Sequence, residues 1–365
     1  MPVLTKNRQI TRKEVRGLFA KDFITQVRDS IWPEFCETID TYSEHEWFAT
    51  LGTVPQVSQV YDDVEVEAQD MREYAYDFTN KLFKSLIALN RSLVDFDQTG
   101  QSRTLLHSMA SRVANFPDKR AVYMLRNGVS NTCLTGSYFF STSHALGGYA
   151  PSTQSNLITG NTTTAAYGST TTLRRGLAEQ IQVDFDNALV QLVSWLDDNG
   201  EPFHQKIDPK DLVIVCGPLI FTTMKLAMGA KIINQTDNVF EGAVGKILCT
   251  NYIPIIGAEA ADWYLMYVGG PTRPLKYSRF RMRTDAEMQD SLASFQATGS
   301  PFNVTMEDLR NLSSIELLTN LNSRGSDNAD SYVILHERFL LAARWRGEVC
   351  YGVPWQAIKV DNAAS

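Results

Sequence analysis

Apolar residues recur every fourth position at Phe19, Phe23, Val27 and Ile31, and Pro33 closes the run. This spacing predicts a short helix inside an N-terminal segment spanning 12–48. From Val54 to Leu89 the period changes to two, with Val57 and Tyr61, Val64 and Val66, then Tyr74, Tyr76 and Phe78, and after a shift Leu82 and Leu86. Alternation of this kind predicts extended strands. A pair of strands of about ten to twelve residues reaches roughly 35–40 Å, too long to lie on one compact core. Such an arm needs a neighbouring surface.

Helical spacing returns over 102–127, where Leu105, Met109 and Val113 share a face and Pro117 ends or kinks the helix. A longer stripe, Leu177, Ile181, Phe185, Leu189, Leu192 and Leu196, stops at Asn199-Gly200. A buried strand over Leu212–Val215, a Gly217-Pro218 turn and a helix over Leu219–Met228 open a mixed α and β region. Ile247–Ile256, Trp263–Val268 and Tyr277–Arg283 read as further strands, and closing strands fall within Tyr332–Val360. In Tyr277–Arg283 the alternation sets Arg279, Arg281 and Arg283 on one face and Phe280 and Met282 on the other. A solvated face explains this; so does a face that meets another subunit.

Between the two long helical patterns, residues 127–173 hold 47 positions without one Asp, Glu, Lys or Arg. A structureless stretch of that length is unusual within a compact domain. The lack of charge favours ordering by contact with other subunits over disorder.

Charge is distributed unevenly. Residues 1–30 carry seven Lys/Arg against three acids, and residues 31–70 carry ten acids and no Lys or Arg, within a net charge of -7 over 365 residues. The two segments are set to pair, within a chain or between copies. An acidic chain is poorly suited to gripping nucleic acid, although it can enclose it. No apolar run approaches a membrane span, and no secretory signal follows Met1–Ile10, so synthesis in a reducing cytoplasm is expected. Cys36, Cys133, Cys216, Cys249 and Cys350 are scattered without ligand spacing and read as free thiols.

The chemistry of catalysis is missing from the pattern. His45, His107, His144, His204 and His336 have no metal-ligand spacing, and Gly242-Ala-Val-Gly245-Lys246 lacks the first glycine and the Ser/Thr of a phosphate loop. Asp95–Gly100 begins like a calcium loop, but Leu106 stands where its last ligand is needed. Ser143-His144 has no orienting acid nearby. No catalytic, cofactor or metal site is therefore expected.

With these parts in order, the stretch Trp47–Gly100 resembles the Mu-like phage major head protein family. The residues that carry the likeness are Trp47, Leu51-Gly52, Pro55, Tyr74-Ala-Tyr76-Asp-Phe78, Asn80-Lys81, Arg91 and Asp95 to Gly100. Phe139-Phe140, Ser143-His144, Ser155-Asn156-Leu157 and the closing Tyr351-Gly352, Trp355-Gln356 and Ala357 are similar to the same family. Tyr61-Asp62-Asp63, Ala145 and Pro354 depart from its pattern.

The resemblance implies an α+β, Hong Kong 97-like phage capsid fold. Its expected parts are an N-terminal arm over 1–53, an extended β loop over 54–90, a peripheral domain over 91–210 and 331–365, and an axial domain over 211–330. It further implies a virion shell subunit assembled in the host bacterial cytoplasm as pentamers and hexamers. Such a shell encloses double-stranded DNA without reading its sequence, with portal and scaffold proteins and a decoration protein as further partners. Candidate assembly contacts are Tyr61, Asp62, Asp63, Glu65, Glu67, Tyr74, Tyr76, Phe78, Arg279, Arg281 and Arg283. The alternatives are an encapsulin-like nanocompartment shell, marked by enzyme cargo in place of DNA, and an α/β hydrolase, marked by an activity lost in His144→Ala.

Overall fold

The computed structural model describes residues 12–51, 73–90, 100–145, 154–161, 171–197, 200–233, 235–281, 287, 289, 304–319 and 338–362. Its first element, α1 (Arg12–Arg28), buries Val15, Phe19, Phe23, Ile24 and Val27, so the fourfold spacing in the sequence is a true core stripe. The helix lies against α2 (Gln101–Ala114), with Asp22 and His107 3.1 Å apart and the Ser111 hydroxyl donating to Gln26 at 3.4 Å. Asn115 separates α2 from α3 (Phe116–Arg126), and Pro117 sits in the first turn of the new helix, where its missing N–H costs no hydrogen bond.

Two five-stranded sheets organise the rest. The first comprises β1 (Cys36–Thr41), β4 (Lys81–Asn90), β11 (Leu275–Phe280), β12 (Ile315–Thr319) and β13 (Arg338–Tyr351). The long β13 is its centre. It pairs antiparallel with β4 from Arg338↔Asn90 to Gly347↔Lys81. It also pairs with β12 over Leu341–Trp345 and with β11 over Gly347–Tyr351. Gly347 has partners in both β4 and β11, so these flank β13 on opposite sides. The inward residues Leu89, Phe339, Leu341 and Ala343 form one core with α1, α2 and α6 (Met306–Ser313).

The second sheet runs β5 (Leu157–Thr159), β14 (Ala357–Asp361), β10 (Trp263–Tyr267), β6 (Leu212–Cys216) and β9 (Lys246–Cys249). Along β6, Leu212, Ile214 and Cys216 face a core shared with α4 (Thr171–Val193) and α5 (Pro218–Gly229). Val213 and Val215 face a second core containing α3, Trp32, Tyr277 and Trp345. Burial on both faces explains why 212–216 is a continuous apolar run with no alternation. A small hairpin, β7 (Ile232–Ile233) with β8 (Thr236–Asp237), stands apart from this sheet.

The strand pairing cuts across the expected division at 210/211 and 330/331. α4 belongs with β14 and α5 although it precedes residue 211, while β11 and β12 join the first sheet from within 211–330. Residues 81–90, expected in the extended loop, are a full strand of that sheet. Local periodicity reports which face is buried; it carries no information on which distant strand completes the ladder.

Candidate assembly interface

The first sheet gives off a ribbon. β2 (His45–Leu51) and β3 (Glu73–Thr79) pair antiparallel from His45↔Thr79 to Leu51↔Glu73 and, among the described residues, belong to no larger sheet. A lone two-stranded ribbon is marginal in water, and this one leaves Trp47 72% exposed. Asn80 alone separates β3 from β4. It is buried, and its backbone N–H donates to Glu44 O at 2.8 Å. Its side-chain amide donates to Thr41 Oγ1 at 3.1 Å and Ser43 O at 2.8 Å, and accepts from Ser278 Oγ at 2.5 Å.

Of the candidate contact residues, Tyr74 and Tyr76 lie in β3, opposite Thr50 and Phe48. Phe78 is buried within the chain, opposite Glu46. Tyr61, Asp62, Asp63, Glu65, Glu67 and Arg283 fall outside the described residues.

Arg279 and Arg281 share a face as the alternation requires, but that face is inside the chain. Arg279 Nε lies 2.8 Å and Arg281 Nε 3.1 Å from the two oxygens of Asp40 on the neighbouring β1. Arg279 also donates to Glu307 at 2.6 Å and Asn311 at 2.5 Å on α6, and Arg281 donates to the Tyr42 hydroxyl at 3.1 Å. Burial opposes the charged form of Arg279, and its bonds to Asp40 and Glu307 outweigh that, raising its pKa further. These two cations are thus not a free subunit-contact face; they fasten β1 and α6 to β11.

The same pattern accounts for three acids of the acidic segment, Glu34, Glu37 and Asp40. Glu34 pairs with Lys246 at 2.6 Å and Glu37 with Lys276 at 3.7 Å. The acids of residues 34–40 thus find their cations in β9 and β11, and α1 sends Arg28 to Asp308 instead.

The uncharged stretch is held largely by its own polar groups. Asn156 is fully buried, and its side chain makes four hydrogen bonds. Its oxygen accepts from Ser141 N at 2.8 Å and lies 3.1 Å from His144 Nε2. Its amide donates to Phe139 O at 2.7 Å and Pro354 O at 3.1 Å. His144 Nδ1 meets Thr135 Oγ1 at 3.0 Å, so neither ring nitrogen is paired with Ser143. Burial pushes the His144 pKa down despite the Asn156 bond, which keeps the ring neutral at pH 7. The expectation that contacts with other subunits order this region is corrected for 127–145 and 154–161, where the chain supplies its own partners; 146–153 and 162–170 are outside the described residues. Among the described residues no cluster of His, Cys, Asp and Glu has the geometry to hold a metal, and no helix is long and apolar enough to cross a membrane.

Residues 12–173 match the family model of the Mu-like prophage major head subunit gpT. The matched span is a little under half of the chain. The span includes the ribbon, β4, Phe139-Phe140, Ser143-His144 and Ser155-Asn156-Leu157, which the resemblance had singled out; the closing Tyr351-Gly352 and Trp355-Gln356-Ala357 lie outside it. The Mu-like prophage FluMu major head subunit of Haemophilus influenzae is 22% identical over 118 residues, which are 32% of this chain and 38% of that protein. Among solved structures, the capsid of an empty GTA particle covers 91% of the chain, with 89% of its own length covered, at 10% identity and a TM-score of 0.50. The procapsid of bacteriophage JBD30 covers 98% of the chain, with 77% of its own length covered, at 15% identity and a TM-score of 0.44. The fold of the chain is the Hong Kong 97-like α+β capsid fold. Its matched family is one of structural shell proteins and not of enzymes.

Proposed function

We propose that this chain is a major head subunit that assembles with copies of itself into a closed icosahedral shell around the double-stranded DNA of a tailed, Mu-like phage. The observation that carries this reading is the ribbon β2–β3, which extends from the first sheet with Trp47 uncovered. Burying an aromatic of this size is worth about 2–3 kcal/mol, and a shell repeats that gain at every subunit. Pentamers and hexamers are the arrangement this reading assigns to the copies. The first sheet with α1 and α2 is the peripheral body, and the second sheet with α4 and α5 is the axial one. Portal and scaffold proteins, and a decoration protein, complete the proposed particle, which forms in the cytoplasm of the host bacterium. Tyr61, Asp62, Asp63, Glu65, Glu67, Tyr74 and Tyr76 remain the proposed contact residues of the arm.

Electron microscopy of the purified chain tests the reading: closed particles or five- and six-fold capsomers are expected. A monomer persisting at high concentration overturns it. Deleting residues 56–72 is expected to leave a folded, soluble subunit that forms no shells.

A further inference from the structure

The helices α1, α2 and α3 form a cationic layer in an acidic chain. Together they carry ten Lys/Arg and three acids, whereas the net charge of the whole chain is -7. Asp118 is buried under the Trp32 and Ile31 N–H groups, and Asp22 lies 3.1 Å from His107. Packing decides which side of the layer is open. The helices rest on the first sheet through residues such as Phe19, Met109 and Ala121. On the opposite side the helical period runs from Thr104 through Ser108, Arg112, Lys119 and Tyr123 to Arg126. All six are exposed except Arg126, which is half-buried against Glu259. That row rises about 33 Å, close to one turn of B-form DNA at about 34 Å. Arg16 and Lys21 are exposed on α1, which runs alongside α2.

These cations differ from those of the sheets. Lys276, Arg279, Arg281 and Lys359 each lie against an acid of the same chain. Arg16, Lys21, Arg103, Arg112 and Lys119 are exposed and, among the described residues, have no carboxylate partner. Between them stand small hydroxyls and Tyr123, on whose ring Arg120 rests at 4.8 Å. Cations of this kind displace the counterions of a phosphate backbone, and Ser, Thr and Tyr hydroxyls donate to its oxygens. A protein partner needs an apolar centre as well. Among the described residues of the three helices, Leu105 and Tyr123 are the only large hydrophobic side chains exposed, so the surface fits nucleic acid better than protein.

We propose that the open side of the α1–α2–α3 layer binds duplex DNA through its phosphates, without reading its sequence, and that Arg16, Lys21, Arg103, Arg112 and Lys119 supply the charge. The proposal takes its setting from the shell reading, in which this layer meets the packaged duplex. The binding itself is a property of the subunit. It also accounts for an acidic chain that keeps one face basic: the acids sit elsewhere, and the local field at the helices, not the sum over the chain, is what a nearby phosphate meets.

Titrating the purified full-length chain against a fluorescent duplex of about three turns tests this, with circular dichroism confirming the fold of each variant. Wild type is expected to bind at low salt, with an affinity that falls steeply as salt rises. Arg112→Gln combined with Lys119→Gln is expected to weaken binding about tenfold at about 50 mM salt and to reduce the magnitude of the salt slope by about 2. Lys206→Gln combined with Lys231→Gln removes the same charge from exposed positions outside the layer and is expected to change neither quantity. An equal loss in both pairs, or no binding by wild type, overturns the proposal. Poly-glutamate of matched charge is expected to compete poorly; competition equal to that of unlabelled duplex marks a docking surface for an acidic protein and overturns it too. A wild-type chain that closes no particles overturns the shell reading instead, and the titrations still decide the surface.

Discussion

The Asp118 carboxylate accepts the backbone N–H of Trp32 at 2.8 Å, and the same oxygen accepts that of Ile31 at 3.0 Å. One side chain on α3 thereby satisfies the turn that links α1 to β1. Burial pushes its pKa up to about 6, the two N–H bonds offsetting part of that cost. A carboxyl raised in the folded state binds more protons than in the unfolded chain between its two pKa values, so its contribution to stability improves as pH falls from above 6 toward 4. Asp118→Asn keeps an acceptor for both N–H groups and removes the titration. Urea unfolding at pH 7.5 and pH 5 is expected to show wild type gaining about 1 kcal/mol more than the variant on acidification. Asp262, whose pKa burial raises to about 6 against the pull of Lys359, has the same sign and cancels in the comparison.

Arg279→Leu is expected to destabilise the subunit by about 3 kcal/mol. The change removes the cation shared by Asp40 and Glu307 and leaves their carboxylates short of a partner. Arg279→Lys should recover only part of the loss, because one ammonium cannot reach Asp40, Glu307 and Asn311 with the spread of a guanidinium. Denaturant midpoints of the three proteins check the order.

Asn156→Ala strips hydrogen-bond partners from Phe139 O, Pro354 O, Ser141 N and His144 at once. Buried polar groups left without partners cost about 1–3 kcal/mol each, so a loss of at least about 3 kcal/mol is expected. Hydrogen exchange should show lost protection at Ser141 first.

Gly347→Ala tests the centre of the first sheet. At φ 154° an added Cβ would press into the Ser278 carbonyl and come within 2.9 Å of the Trp345 ring. A loss of about 2–3 kcal/mol is expected, read as a lower thermal midpoint with an unchanged helical signal.

Much of this was legible from residue order. The spacing of Phe19, Phe23 and Val27 gave a core stripe, and Leu212–Val215 followed by a helix at Leu219–Met228 was found within two residues of the observed bounds. The failures share a cause. Arg279 and Arg281 alternate correctly with Phe280, yet whether their face meets solvent, another subunit or Asp40 depends on β1 lying alongside, a pairing of residues 239 apart. Leu82 and Leu86 likewise fit an arm by period, and only the ladder to β13 shows that they belong to the sheet. The uncharged stretch misled differently: its Ser, Thr and Asn side chains do internally what charge does elsewhere, and composition does not distinguish solvated amides from buried ones.

The Asn80 junction has a mechanical consequence. In the proposed shell, subunits sit at places of unequal curvature, so the angle at which each reaches its neighbour must vary. Asn80 is bonded to Thr41, Ser43, Glu44 and Ser278 together, which makes it a clamp and not a hinge. A two-stranded ribbon has no such restraint along its length and tolerates a wide range of twist. In that proposed shell the variation falls on the seven paired rungs beyond the clamp, with the body of each subunit held and its arm taking up the difference.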